Sequence, residues 1–528
     1  ARFKEYISVK PADNHTIAYF SMEYGLTKSL KIYSGGLGIL AGDYLKQASD
    51  SNSNLCAIGL LYRFGYFAQD LSVWGEQLSE YIPQNFSYLP MEVVRDEKCE
   101  EFIISIAFPG RSVYAKAWRA PVGRISLYLL DTDIDQNAAE DRGITGKLYG
   151  GDSEMRIKQE MFLGIGGIRL MDRINIKPTI YHCNEGHAAF CGLERLSVYI
   201  TRHNLDFDVA KELVRTSTLF TTHTPVPAGH DVFEEHLMRT YLSHYPGRMN
   251  ISWDDFMNLG KIRHNDPYEK FSMSVLATNL SQEVNGVSKI HGRVSREMFQ
   301  QMWPGYFAEE NHIGYVTNGV HLPTWADSSW QRLYREVLGK DYVDVQSDPE
   351  VWAKINNVSD DTIWNIKKEL KHKLTEYLKV KVVEDMQRRQ ESPSLIINTI
   401  ENFNENALII GFARRFATYK RAHLLFNNID RLAELLNNPE KPVVFLFAGK
   451  AHPNDKAGQD LIKMIIETSR RKEFAGKVMF LNNYDMELGK ILTSSVDIWM
   501  NTPTRPLEAS GTSGEKAVMN GTLNLSVL

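Results

Sequence analysis

The segment Glu508-Ala-Ser-Gly-Thr-Ser-Gly-Glu-Lys516 combines small residues with a carboxylate and an amine. Small residues let backbone N–H groups approach a bound anion, and a helix that begins after them adds a favourable dipole. The segment is not a nucleotide P-loop, because Glu515 separates Gly514 from Lys516 and no Ser or Thr follows the lysine. The pattern predicts a phosphate cradle with an amine at its end. The alternative is a glycine-rich turn before an ordinary helix, with Lys516 facing solvent.

A second segment, Arg414-Arg-Phe-Ala-Thr-Tyr-Lys-Arg421, carries four cations in eight residues. It follows a short apolar run, and open α/β sheets bind ligands beyond the carboxyl ends of their parallel strands. Arginine forks suit phosphate oxygens, and lysine adds a mobile point charge. The segment therefore predicts an anion site at a strand end. The alternative is a solvated basic loop.

The third segment, Ser34-Gly-Gly-Leu-Gly38, is followed by Ala41 and Gly42. Its glycine spacing formally matches a dinucleotide fingerprint, but no clear apolar strand precedes it, so a nicotinamide role has little support. A tight turn that opens a helix is a sufficient interpretation. If the turn faces a cleft, its N–H groups could bind an anion.

Two histidine-rich segments follow, Tyr181-His-Cys-Asn-Glu-Gly-His187 and Thr222-His-Thr-Pro-Val-Pro-Ala-Gly-His230. Neither has H-E-x-x-H spacing or another zinc signature, so we predict no metal site. Histidines in such settings are most often hydrogen-bonded structural residues, although these polar, loop-like surroundings permit substrate contacts.

Short apolar runs alternate with helical stretches in the last third of the chain. The runs occupy residues 407–413, 443–448, 478–481 and 496–500, and residues 460–467 form one of the intervening helical stretches. This alternation predicts a parallel sheet covered on both faces, in a doubly wound α/β domain.

A long helix is predicted from Ser359 onward, with a break at Ser392-Pro-Ser394. Residues 318–323 form the expected hinge, so we predict a domain of residues 1–320 and a second of residues 321–528. The first domain mixes helices with strands such as 125–130 and 219–222. Residues 522–528 form a further strand with no helix after it, so we expect the sequence to be a fragment, with the same expectation for its abrupt N-terminus.

The bulk composition fits this organisation. A chain of 528 residues exceeds what one hydrophobic core usually organises. Its formal net charge of −5 gives no general attraction to nucleic acid or to an anionic membrane. Four cysteines do not make a disulfide framework, and neither a signal peptide nor an apolar run of about 18 residues is visible. We therefore predict a cytoplasmic location.

These segments, together with Ser21-Met-Glu-Tyr24 and Thr317-Asn-Gly319, resemble in type and order those of the α-glucan phosphorylase family, which comprises glycogen, starch and maltodextrin phosphorylases. The resemblance is spread over nearly the whole chain. It implies a GT-B architecture, in which two Rossmann-like doubly wound domains face a deep cleft. The N-terminal domain would then bind glucan, and the apparently incomplete C-terminal domain would bind pyridoxal 5′-phosphate (PLP).

The resemblance also implies an activity. Family members release α-glucose 1-phosphate from non-reducing ends of α-1,4-glucan, with inorganic phosphate as the attacking group and with retention of configuration. The PLP aldehyde is only an anchor, and the cofactor's phosphate assists proton transfer, unlike the usual electron-sink role of PLP. No pair of enzyme carboxylates is needed, in contrast to standard glycoside hydrolysis.

Site residues carry over by position in this sequence. Residues expected to bind the cofactor are Lys516 as the covalently attached lysine, Arg414, Tyr484, Thr512 and Ser513. Residues expected to bind the substrate phosphate are Arg415, Lys420 and Gly36. Residues expected to orient the glucosyl unit are His223, Asn318, Glu508, Ser510 and Gly511. The neighbouring acceptor region is expected to be lined by His187 and Glu185.

This sequence departs from the animal enzymes in two places. They carry asparagine and methionine before the lysine, where this chain has Gly514 and Glu515, and they carry histidine at the position of Ala417. The differences indicate a bacterial-type branch and do not support animal-type regulation. The family expectation is a homodimer. Two alternatives stay open: a GT-B glycosyltransferase such as a glycogen or starch synthase, which would use a nucleotide sugar and no PLP, and a glucan-binding scaffold without activity.

Overall fold

A computed structural model describes residues 2–11, 15–226 and 229–527. The chain divides into two compact units, the first made of Ala1–Tyr66 and Pro83–Asn318 and the second of Phe67–Ile82 and Gly319–Leu528. The chain therefore passes between the units three times. Residues 67–82 belong to the second unit, although the sequence on both sides of them belongs to the first.

The strands alternate with helices along most of the chain. In chain order the strands are β1 (Ile17–Phe20), β2 (Leu55–Leu60), β3 (Ala68–Leu71), β4 (Gln77–Glu80), β5 (Glu92–Val93), β6 (Ile103–Phe108), β7 (Arg111–Val122), β8 (Ile125–Asp131), β9 (Ile180–Asn184), β10 (Thr218–Thr221), β11 (Val232–Phe233), β12 (Phe271–Ser272), β13 (Glu283–Gly286), β14 (Gly314–Tyr315), β15 (Leu408–Ala413), β16 (Val443–Ala448), β17 (Val478–Leu481), β18 (Ile498–Asn501) and β19 (Leu523–Ser526).

The helices range from single turns to 29 residues. In chain order they are α1 (Arg2–Ser8), α2 (Gly36–Asp50), α3 (Ala139–Arg142), α4 (Ser153–Met161), α5 (Gly167–Arg173), α6 (Phe190–His203), α7 (Phe207–Thr216), α8 (Glu235–Leu242), α9 (Tyr245–Met249), α10 (Trp253–Asn258), α11 (Met273–Asn279), α12 (Lys289–Phe299), α13 (Leu322–Trp325), α14 (Ser328–Val337), α15 (Pro349–Ala353), α16 (Asp360–Arg388), α17 (Pro393–Glu401), α18 (Ile429–Leu436), α19 (Lys456–Ser469), α20 (Met486–Ser495) and α21 (Ser513–Val518).

The first unit is built on a ten-stranded mixed sheet in the order β14-β13-β10-β9-β1-β2-β8-β7-β5, with β6 also paired to β7. The seven strands from β14 to β8 are parallel, and the remaining strands are antiparallel. Strands β9, β10 and β13 are adjacent and parallel, so their carboxyl ends lie along one edge. The histidine-rich segments follow β9 and β10 directly, and this edge therefore gathers their side chains.

The second unit contains a five-stranded parallel sheet in the order β17-β16-β15-β18-β19. Successive side chains along its strands point to opposite faces of the sheet and pack into different apolar clusters. Phe412, Phe447 and Phe480 pack into one apolar cluster, whereas Ile409 and Leu446 pack into another on the opposite face. Both faces are thus covered, and the predicted doubly wound parallel sheet is confirmed. Strand β19 confirms the predicted last strand, but Leu528 lies outside the described residues.

Helix boundaries follow the capping residues. The Ser359 side chain accepts a hydrogen bond from the backbone N–H of Thr362 and begins α16, as predicted. The break at 392–394 is also present, but Pro393 stands at the first position of α17, where a missing N–H costs nothing. Within the described residues no helix combines the length and the apolar character needed to cross a membrane.

Candidate active site

Glu508 links two of the predicted anion-site cations at the carboxyl edge of the second unit's sheet. Arg414 follows β15 directly, and its Nη2 donates to Glu508 Oε1 at 3.0 Å. Lys420 Nζ donates to the other carboxylate oxygen of Glu508, and Arg414 Nη1 donates to Asn501 Oδ1 at the end of β18. The ends of two adjacent strands therefore supply one charged cluster.

This cluster is withdrawn from solvent. The side chains of Arg414 and Lys420 are 9% and 10% exposed, so the alternative of a solvated basic loop is wrong for these two cations. Burial and the neighbouring Arg414 lower the pKa of Lys420 to about 7, against the opposing effect of Glu508. Arg414 and Lys420 hold the pKa of Glu508 below its usual value in spite of its burial. The cluster thus combines a fixed guanidinium with an amine that titrates near neutrality.

Arg421 has a different role from the other cations in its segment. It adopts a left-handed backbone conformation after a single 3₁₀ turn, Thr418–Lys420. Its Nε donates to Thr502 O at 2.7 Å and its Nη2 donates to Pro503 O at 3.1 Å. Arg421 therefore fastens the loop that carries Glu508 to the loop that carries Lys420. Arg415, the next residue after Arg414 in the chain, is exposed.

Lys516 lies in the second turn of α21 and is 7% exposed, so the alternative of a solvent-facing lysine is wrong. Its Nζ stands 3.7 Å from the centroid of the Trp325 ring, in cation–π contact. Asn520, itself fully buried, donates to Lys516 O at 2.7 Å and to Trp325 O at 2.9 Å. The lysine is consequently held by α13 and by its own helix.

The other predicted cofactor residues surround the same sheet edge. Thr512 and Ser513 begin α21, where first-turn N–H groups have no partner within the helix, and Ser513 Oγ accepts a hydrogen bond from Trp499 Nε1 at 3.0 Å. In the preceding loop, Ser510 and Gly511, which are predicted to contact the glucosyl unit, are half-buried and exposed, respectively. Burial raises the pKa of Tyr484 to about 12, while the charge of Arg414 opposes this rise. The Tyr484 hydroxyl therefore stays protonated and lies within electrostatic reach of Arg414.

In the first unit the predicted residues of the two histidine segments come together. His223 Nε2 lies 2.6 Å from Asn184 Oδ1, and the Asn184 amide nitrogen donates to Ser21 Oγ at 3.1 Å. Because that amide oxygen can only accept, the His223 proton is assigned to Nε2 and Nδ1 carries a lone pair. The His223 backbone N–H also donates to Glu185 Oε2 at 2.8 Å. Burial lowers the pKa of His223 to about 3, so it acts as a neutral hydrogen-bonding group.

His187 belongs to a buried network of charged residues. The other members, Arg156, Glu160 and Asp231, are not among the predicted site residues. His187 Nε2 lies 3.5 Å from Asp231 Oδ2, and Asp231 also pairs with Arg156. Burial and Arg156 lower the pKa of His187 to about 4. The pKa of Asp231 is lowered, chiefly by Arg156 acting against its burial, whereas burial and Asp231 raise the pKa of Glu160 well above its usual value. Asp231 therefore carries a negative charge that pairs with Arg156, and His187 is neutral.

The glycine turn is tied to this network through Glu23. The Glu23 carboxylate accepts hydrogen bonds from the N–H groups of Ser34 at 2.6 Å and Gly35 at 3.3 Å, and from the Tyr149 hydroxyl at 2.7 Å. The Tyr149 ring in turn lies 6.0 Å from that of His187. Helix α2 begins at Gly36, so the interpretation as a turn that opens a helix is confirmed.

Alanine at Gly38 should destabilise the protein, whereas alanine at Gly36 should not. A Cβ on Gly38 would lie 2.6 Å from Tyr33 Cβ and 2.7 Å from Glu23 Oε2, whereas a Cβ on Gly36 would meet nothing within 4 Å. We expect Gly38→Ala to destabilise the protein by about 1–3 kcal/mol through overpacking. Gly36→Ala should leave the melting temperature unchanged, and thermal unfolding of both variants measures the difference. Equal melting temperatures would contradict this reading of the turn.

Asn285 forms hydrogen bonds at the start of the second histidine segment, whereas the hydrogen bond described for Asn318 is to Val287. Predicted Asn318 is half-buried and donates its backbone N–H to Val287 O at 3.1 Å. Asn285 is not among the predicted residues, yet it lies in β13 beside the second histidine segment. Its Oδ1 accepts from Thr221 Oγ1 at 3.0 Å, and its carbonyl accepts from the Thr222 N–H at 3.0 Å. A polar residue directly before a glycine in a short strand is the signal that could have identified Asn285.

The chain is similar to known proteins over nearly its whole length. A sequence model of the family described as carbohydrate phosphorylase matches residues 136–528. A maltodextrin phosphorylase of Thermococcus litoralis is 43% identical over 521 residues, which cover 98% of this chain and 61% of that protein. A glycogen phosphorylase of Mycobacterium tuberculosis is 42% identical, with 97% of this chain and 60% of that protein covered. A glycogen phosphorylase of Aquifex aeolicus is 36% identical, with 97% and 73% covered. The chain thus spans 61% and 60% of the length of the first two relatives.

Proposed function

The chain belongs to the carbohydrate phosphorylase family, and from this premise we propose that it carries the active site of an α-1,4-glucan phosphorylase. The enzyme would release α-glucose 1-phosphate from the non-reducing ends of glycogen, starch or maltodextrin with inorganic phosphate. The observation that carries the proposal is the buried Arg414–Glu508–Lys420 cluster at the carboxyl edge of the second unit's sheet, together with the buried Lys516, which follows Glu508 by eight residues in the chain.

The residues at this edge fit PLP as cofactor. A buried lysine against an aromatic ring suits covalent attachment of an aromatic aldehyde, and the start of α21 suits a phosphate group. Arg414 Nε is buried and has no hydrogen-bond partner among the described residues, as expected of a donor reserved for an anion. When bound, PLP supplies a phosphate group that can exchange a proton with the substrate phosphate. Lys516, Arg414, Tyr484, Thr512 and Ser513 would hold it.

The proposed catalytic side chains are Lys516, Arg415 and Lys420. Arg415 and Lys420 would bind the substrate phosphate, because two phosphate groups brought close together repel strongly unless cations lie between them. Glu508 keeps Arg414 and Lys420 in place by its two ion pairs and would accept a hydrogen bond from a glucosyl hydroxyl. Ser510 and Gly511 would add backbone contacts to the same sugar.

The first unit would supply the remaining contacts. Neutral His223, with a lone pair on Nδ1, can accept a hydrogen bond from a sugar hydroxyl, and Asn318 would assist it. Glu185 and His187 would line the acceptor region, and Gly36 would offer its N–H to the substrate phosphate. We further propose the GT-B arrangement of family members, a cytoplasmic location and a homodimer.

Phosphate binding should weaken as the pH rises through about 7, the pKa of Lys420, because its amine then loses the charge that attracts phosphate. Lys420→Arg should move this decline to higher pH, since a guanidinium stays protonated. The measurement is the KM for phosphate from roughly pH 6 to 9 in both proteins. Inorganic phosphate itself titrates in this pH range, but this effect is the same for the unmodified protein and for Lys420→Arg, so it cancels when their KM values are compared. If the KM for phosphate depends on pH in the same way in both proteins, Lys420 does not bind the substrate phosphate.

The direct test supplies the purified protein with PLP, maltodextrin and inorganic phosphate and assays α-glucose 1-phosphate. Its formation, without matching release of free glucose, is the expected result. A parallel assay with a nucleotide sugar tests the synthase alternative. Glucan extension from the nucleotide sugar without phosphorolysis would overturn the proposal, and binding of glucan without either reaction would favour a scaffold.

A further inference from the structure

The hairpin formed by β3 and β4 contacts the rest of the second unit through two glutamine side chains. Gln69 is 3% exposed, and its Nε2 donates to Gly449 O at 2.8 Å and to Gln77 Oε1 at 3.0 Å. Gln77 in turn accepts from Ala451 N at 2.9 Å and donates to Ala451 O at 2.9 Å. The two amides therefore bind the backbone that follows β16 much as a neighbouring strand would.

Gln69 also binds the loop that follows β17. Its Oε1 accepts from the backbone N–H of Asn483 at 2.9 Å, and its own N–H donates to Asn483 Oδ1 at 3.1 Å. Asn483 directly precedes Tyr484, whose buried hydroxyl is within electrostatic reach of Arg414. One buried side chain thus joins the ends of two adjacent strands.

The backbone that these glutamines hold is packed against the anion site. Arg414 N donates to Ala448 O at 3.1 Å and Phe416 N donates to Lys450 O at 3.0 Å, so the segment between them runs beside residues 448–450. Gly449 has φ 149°, and a Cβ there would lie 1.9 Å from Arg414 O. Gly449 is therefore packed directly against the backbone of Arg414, and we expect a displacement of Gly449 to disturb the placement of Arg414.

We propose that Gln69 and Gln77 are positioning residues for the phosphate site: they fix the Gly449–Ala451 and Asn483 backbones, and through them the side chains of Arg414, Arg415 and Tyr484. The inference rests on the proposed function. Neither glutamine contacts substrate. A charge site of this kind depends on placement, since a misplacement of about 1 Å can cost roughly a hundredfold in rate.

The test compares Gln69→Ala and Gln77→Ala with Ser79→Ala, an exposed change on the strand position opposite Gln69. Equilibrium dialysis with inorganic phosphate measures the Kd of each PLP-loaded protein, and steady-state assays separate the KM for phosphate from the KM for maltodextrin. We expect the Kd and KM for phosphate to rise about tenfold to a hundredfold in both glutamine variants. The KM for maltodextrin should change by less than about twofold. Ser79→Ala should match the unmodified protein.

Amide hydrogen exchange gives a readout that does not depend on turnover. The N–H groups of Arg414, Phe416 and Ala451 should exchange faster in the glutamine variants, with those of the first unit's sheet unchanged. If Gln69→Ala fails to fold, the test relies on Gln77→Ala alone. Gln77 is half-buried, and its replacement removes only the hydrogen bonds to Ala451 and Gln69.

The possible failures are distinguishable. If the unmodified protein binds no phosphate, the proposed function itself fails. Phosphate binding by the unmodified protein with equal Kd values in both glutamine variants would overturn the inference alone. An equal rise of both KM values together with a lower melting temperature would make the glutamines merely structural, which also overturns it.

Discussion

Lys516→Ala should abolish the covalent cofactor adduct and reduce phosphorolysis by about a thousandfold or more, equivalent to roughly 4 kcal/mol of transition-state stabilisation. The expectation follows from the buried position of the amine beside Trp325 and the adjoining start of α21. Borohydride reduction followed by peptide mass spectrometry should place a pyridoxyl phosphate group on Lys516 in the unmodified protein and on no residue in the variant.

Two controls separate covalent attachment from packing. Lys516→Arg keeps a cation against the Trp325 ring but cannot bind the aldehyde covalently, so it should lose the adduct and the activity while keeping the melting temperature of the PLP-free unmodified protein. Lys472→Ala removes an exposed lysine of the same unit and should change neither. An adduct on a different lysine, or phosphorolysis that survives Lys516→Ala, would show that the amine assignment is wrong.

Glu508→Gln should lower kcat/KM by about a hundredfold or more, because removing one partner of a buried charge pair costs roughly 2–5 kcal/mol. Arg414 and Lys420 would keep their places beside a neutral amide but would repel each other without a counterion. The pKa of Lys420 should fall further, since Glu508 is the group that opposes the effect of burial. Steady-state kinetics with phosphate and maltodextrin measure the loss.

The adduct on Lys516 should persist in Glu508→Gln, since the two side chains have separate neighbours. Glu508→Asp, which keeps the charge on a shorter side chain, should lie between the glutamine variant and the unmodified protein. Glu467→Gln, a change at an exposed glutamate of α19, is the matched control. Unchanged kinetics in Glu508→Gln would mean that neither the sugar contact nor the two ion pairs matter for the reaction.

The second unit's sheet was the most predictable part of the fold. Its strands are apolar on both faces, so they stand out as short unbroken runs, and β16 occupies the predicted residues 443–448. Capping residues likewise revealed the start of α16 at Ser359. These signals are local, and each can be read within about ten residues of sequence. The assignment of glucan and PLP binding to residues 1–320 and 321–528 stays a prediction.

The candidate site was predictable only in its parts. The basic segment and the lysine segment each indicated an anion site, but no local pattern could show that Glu508 bridges Arg414 and Lys420, which lie 94 and 88 positions away in the chain. The same holds for Arg156 and Asp231, whose ion pair joins positions 75 apart. Such pairings depend on which strand ends meet, and that is decided by sheet order.

The hairpin 67–82 escaped prediction for a related reason. Its strands are four residues each, and β4 is mostly exposed, so neither carries a strong apolar pattern. Its role depends on partners such as Gly449 and Asn483, more than three hundred positions downstream. The surrounding sequence belongs to the first unit, and nothing in its composition marks these residues as part of the second.

This separation has a consequence for biosynthesis. Gln69 and Asn483 are 414 positions apart, and a ribosome that adds roughly 5–20 residues per second would need about 20–80 s to make the second after the first. A lone two-stranded hairpin is at best marginally stable in water. Residues 67–82 therefore gain these partners only after the rest of the first unit and most of the second have been synthesised.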